Sequence, residues 1–113
     1  MSGANGDALE WAVALLHAPG ERHALRQRPL PDGITELLGI AATTSPESLA
    51  IAAKHFGEPE SRMREAAQFY VREILLFPQA DAYRILGVSD GASQDVIKTH
   101  HRLLQRWLHP DRL

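Results

Sequence analysis

Three basic residues spaced four apart, followed by a histidine–proline–aspartate tripeptide, are the residues of this 113-residue chain whose types and spacing point to a task. Lys98, Arg102 and Arg106 fall on one side of a helix, and at about 1.5 Å rise per residue they spread three cations over about 12 Å. A cationic row of this kind suits capture of an acidic surface. Taken alone, its plainer reading is a solvated helix face. Beyond it, Pro110 cannot continue a helix and disfavours helical geometry at His109. His109 and Asp111 are therefore held in a bend just past the end of a basic rod. Alone, that bend also reads as a helix stop signal.

Other chemistries are poorly provided for. The chain has no cysteine, which excludes disulfides, thiolate zinc sites, iron–sulfur clusters and a cysteine nucleophile. The nucleophile elbow G-x-S-x-G and the glycine-rich phosphate loops are absent. Of the six histidines, His100 and His101 are adjacent and point to different sides of a helix, and His17, His23 and His55 lack a partner at ligand spacing. The expectation is a protein that is not an enzyme and holds no cofactor and no metal. A net charge of −2 and a pI near 6.3 argue against nucleic acid as a partner. No apolar run approaches the roughly 18 residues a membrane span needs. The opening MSGANGDALEW lacks the basic start and apolar stretch of a secretory signal. A soluble cytoplasmic protein is expected.

The elements that must position the basic rod read as helices throughout. Leu9, Val13 and Leu16 repeat at helical spacing over 7–17, and Pro19-Gly20 stops them. Residues 21–31 hold Arg22, Arg26 and Arg28 between polar residues and two prolines. They read as a short helix running into a loop, with the arginines solvated. Asp32 can cap a helix through about Ala42. Ser45-Pro46-Glu47 opens another that ends at Gly57. Pro59 starts the longest helix, to about Phe77, with Ala66, Phe69, Tyr70, Ile74 and Phe77 as its core stripe. A short helix over 81–86 ends at Gly87, and a last one runs from Ser93 to Pro110 with Ile97, His101, Leu104 and Leu108 as its packing stripe. No segment alternates as a strand does, so the fold class is all-α. Residues 1–80 carry a net charge of −3 and residues 81–113 a net charge of +1. The change falls at Pro78-Gln79-Ala80 and marks a division into a helical region 1–78 and a C-terminal segment 81–113.

That segment resembles the first half of a J-domain, the DnaJ-type co-chaperone module. The family's first helix commonly reads D-Y-Y-x-I-L-G-V, and this chain has D-A-Y-R-I-L-G-V over 81–88. Ala92-Ser93, Ile97 and Lys98 match the turn and start of the second helix. The distance to the signature His109-Pro110-Asp111 is met without a gap, and Arg112 supplies the basic residue that usually follows. The resemblance implies a small helical bundle followed by a J-domain-like helical pair, the family's helices I and II. It implies binding to a DnaK-type chaperone and stimulation of that partner's ATP hydrolysis. Lys98, Arg102 and Arg106 would meet an acidic surface, Asp111 would pair with a partner arginine, His109 and Pro110 would fix the turn, and Arg112 would add to the contact.

The segment also departs from the family. His101 stands where a tyrosine is usual and His100 where an alanine is. Leu103 replaces a frequently basic residue, and Trp107-Leu108 stands where a basic–aromatic pair is common. The family's third helix, which packs antiparallel on the second, is absent from the sequence, which ends at Leu113. Either the N-terminal helices cover the stripe of the second helix, or the chain is a piece of a longer protein; the second is the expectation, because a bare apolar stripe is a liability. The N-terminal helices could also hold a client protein. The alternative function is a non-stimulating structural or interaction module with a degenerate J-segment, in which Trp107 packs against the N-terminal helices.

Overall fold

In the computed structural model, residues 7–88 and 91–108 are described. Seven α-helices follow in chain order, and no strand occurs among the described residues. They are α1 (Asp7–His17), α2 (Arg22–Arg26), α3 (Ile34–Ala41), α4 (Pro46–Phe56), α5 (Glu60–Tyr70), α6 (Ala82–Ile85) and α7 (Gln94–Leu108). A single 3₁₀ turn, Pro19–Glu21, leads into α2. The all-α reading therefore holds, and most boundaries fall within a residue or two of those expected.

Helix α5 is the axis of the core. α1, α3 and α4 all pack against it, and α3 in turn carries α7. The side chains of Met63, Ala66, Ala67 and Tyr70 on α5 are buried with Leu15 of α1, Leu37, Leu38 and Ile40 of α3, and Leu49 of α4. Leu103 and Leu104 of α7 belong to the same buried cluster. The two parts of the chain on either side of 78–80 thus share one hydrophobic core.

Three local details differ from the sequence reading. The helix expected to run on to Phe77 is α-helical only to Tyr70; Val71–Leu75 is a wider π turn, closed by the Leu76 amide donating to the Val71 carbonyl at 3.0 Å. The extra residue per turn lets Ile74 and Leu75 both reach the core, where both are fully buried. Asp32 does not cap α3. Gly33 does, in a left-handed conformation, while the Asp32 carbonyl accepts from the Ala8 amide at 2.9 Å. Ser45 sits at the start of α4 as expected, but its hydroxyl makes no capping bond there.

Two glycines end helices in left-handed geometry for different reasons. Gly57 has φ +68° with open space around it. Gly87 has φ +67°, and a Cβ there would lie 2.8 Å from Ile34 Cγ2. Gly57→Ala therefore meets only the backbone penalty, about 1 kcal/mol. Gly87→Ala adds a steric clash with α3 and is expected to cost about 2–4 kcal/mol. Urea unfolding of the two variants measures the difference; equal losses would mean that the α6 turn does not press on α3.

Candidate partner-binding surface

The surface is built from α6, the turn after it, and α7. Asp81 starts α6, its Oδ1 accepting from the Arg84 amide at 2.8 Å. Four residues make a marginal helix on their own. Arg84 ties this one down: its Nη2 donates to the carbonyls of Arg26 and Arg28, both at 2.8 Å, where the chain leaves α2. Of the three arginines expected to be solvated, Arg28 is exposed, whereas Arg26 and, less closely, Arg22 are engaged by Glu73. Arg26 donates from Nε to the Glu73 carbonyl at 2.8 Å and pairs with the Glu73 carboxylate at 3.2 Å. Its guanidinium also lies 4.8 Å from the centre of the Phe77 ring. Arg22 approaches the same carboxylate at 3.7 Å, and Arg28 stands over the Trp11 ring.

Helix α7 starts at the Ser93 hydroxyl, which accepts from the Val96 amide at 3.3 Å. Its buried side is His100, Leu103 and Leu104, with Ile97 and Trp107 partly covered. The expected stripe is thus rotated by about one residue. His101 is exposed and Leu108 is 50% exposed, so neither belongs to the packing face. The reason is the partner: α3 covers α7 and presents a hydrogen-bonding group, Thr35, to it. The His100 imidazole, 2% exposed, takes that group. Its Nδ1 lies 2.8 Å from the Leu86 carbonyl and its Nε2 2.7 Å from the Thr35 hydroxyl. A carbonyl only accepts, so Nδ1 carries the proton, and Nε2 accepts from Thr35. Nothing in the sequence marks His100 over His101; both sit at positions compatible with a helical stripe.

Lys98, Arg102 and Arg106 are all exposed. At about 100° per residue they occupy the side of α7 opposite His100. None of the three is ion-paired among the described residues, whereas Arg22, Arg26 and Arg62 each face a glutamate. The structure brings these three cations together as a ridge. His109, Pro110, Asp111 and Arg112 lie outside the described residues. Among the described residues no cluster of His, Asp and Glu could hold a metal ion, and no helix is long and apolar enough to cross a membrane.

Comparison of the chain with family models, with curated proteins and with solved structures finds no match.

Burial holds the His100 imidazole below its usual value of 6.5, against the opposing pull of the backbone at Leu86 and Gly87 and of the Glu36 carboxylate. As pH falls through 6.5, the unfolded chain takes up a proton on this residue that the folded chain refuses. Stability is present above that pH and lost below it, by at most about 1.4 kcal/mol per pH unit. The stability advantage of the wild type over His100→Asn should therefore shrink between pH 7.5 and 5 in denaturant titrations. A constant difference across that range would contradict a neutral, buried imidazole.

Proposed function

We propose that the chain is a J-domain-type co-chaperone segment that works in the cytoplasm, binds a DnaK-type chaperone and stimulates its ATP hydrolysis, itself performing no chemistry. The observation that carries the reading is the exposed ridge of Lys98, Arg102 and Arg106 on the outer side of α7, none of them ion-paired among the described residues. A cationic row not held in ion pairs attracts an acidic surface and orients it on approach. The short α6 and the left-handed Gly87 turn that precede α7 support the same reading, because they match the layout implied by the D-A-Y-R-I-L-G-V resemblance.

The mechanism follows from linkage. A protein that touches only the outside of an ATPase accelerates it by binding one conformation of that ATPase better than another. The ridge supplies orientation and Asp111 the state-dependent contact, through a partner arginine. His109 and Pro110 fix the turn that carries that carboxylate, and Arg112 adds to the contact. Partner binding through the ridge weakens with salt, since exposed charges are screened over about 8 Å at physiological ionic strength.

A second reading, a structural or interaction module that stimulates nothing, is favoured by one observation: Trp107, Leu103 and Leu104 pack on the core made by the N-terminal helices. Steady-state ATP hydrolysis by a DnaK-type chaperone separates the two. The co-chaperone reading predicts stimulation by the chain that Asp111→Asn abolishes and that triple neutralisation of the ridge reduces at least tenfold at low partner concentration. Equal hydrolysis with wild type, with Asp111→Asn and without added protein would favour the second reading.

A further inference from the structure

Between α7 and the loop that joins α3 to α4 lies an open groove of about 360 Å³, lined by Thr44, Arg102, Leu103, Gln105 and Arg106. It offers two guanidiniums one helical turn apart, a carboxamide and a hydroxyl, beside the apolar flank of Leu103. Neither guanidinium is ion-paired among the described residues. Like charges at this spacing repel weakly, and an anion seated between them relieves that repulsion. The Thr44 hydroxyl is held by one long bond, 3.3 Å to the Gly39 carbonyl. Thr44 therefore brings the N-terminal helices to the edge of the ridge.

We propose that this groove receives an acidic segment of a protein partner, and that Thr44 and Gln105 read that segment together with Arg102 and Arg106. The inference rests on the partner-binding role given to the two arginines above and adds a wall supplied by the α3–α4 loop. Charge complementarity selects the occupant. Two guanidiniums over a short groove match two or three neighbouring carboxylates. An extended polyanion such as a nucleic acid needs a longer basic surface than a chain of net charge −2 provides.

The experiment uses the full chain with two probes, a fluorescent oligo-glutamate peptide and the ATPase domain of a DnaK-type chaperone, at low ionic strength. Thr44→Glu puts a carboxylate into the groove, where it competes for both arginines in cis. Affinity for each probe should fall about tenfold, and Gln105→Glu should act in the same direction. Ser61→Glu, an exposed position on α5, should change neither affinity, and the far-ultraviolet spectrum of all three variants should match the wild type. If Arg102→Ala weakens both probes while Thr44→Glu and Gln105→Glu bind as wild type does, the groove inference is wrong and the co-chaperone reading stands. If the peptide responds as described but the ATPase domain binds no variant and no wild type, the groove stands as an acidic-peptide site and the co-chaperone reading fails. Tighter binding of a single-stranded oligonucleotide than of the peptide would overturn the assignment to an acidic protein segment.

Discussion

A neutral imidazole wedged between a hydroxyl and a carbonyl sets the arrangement of the C-terminal half. His100 is buried, and its two nitrogens reach two different elements, Thr35 on α3 and the Leu86 carbonyl at the end of α6. A polar ring taken out of water costs free energy unless both nitrogens are bonded, so the three elements must meet in one register. That register fixes the rotation of α7. Leu103, Leu104 and Trp107 turn toward the core, and Lys98, Arg102 and Arg106 turn away from it. The outward ridge is thus a consequence of an inward hydrogen bond. His100 also occupies the position where the J-domain resemblance leads one to expect an alanine, a side chain too short to reach α3.

A second polar junction holds the other end of the pair. The π turn at Val71–Leu75 carries Glu73, whose carbonyl and carboxylate both bind Arg26. The carbonyls of Arg26 and Arg28 then receive Arg84 of α6. Two consecutive steps, from the π turn through α2 to α6, are made by arginine forks, whose planar donors can serve several acceptors at once. The short α6 has few residues with which to bury apolar surface, so such tethers supply what its own length cannot. Tyr83 and Ile85 remain 50% and 40% exposed.

Much of this was legible in the sequence. Proline and glycine punctuation located the helix ends, because each acts locally: Gly57 and Gly87 adopt the left-handed geometry expected of them, and Pro46 opens α4. The exposed ridge followed from spacing alone. The illegible parts depend on contacts across the chain. Adjacent pairs, His100-His101, Leu103-Leu104 and Trp107-Leu108, leave the phase of an amphipathic helix undetermined by about one residue, and only the Thr35 hydroxyl on a distant helix decides it. The roles of Arg26 and Arg84 were hidden for the same reason, since their acceptors lie 47 to 58 residues away in sequence. The π turn left no local mark; it lets Ile74 and Leu75 share the core.

The orientation of α7, and with it the surface offered to a partner, rests on the protonation state of one ring. Nitrogen-15 NMR of the imidazoles reads that state directly. The account predicts that at pH 6 His100 is neutral, with a protonated Nδ1 and a bare, hydrogen-bonded Nε2. A His100 that is charged at pH 6, or whose proton is shared between both nitrogens, would contradict the buried junction and the ridge orientation that depends on it.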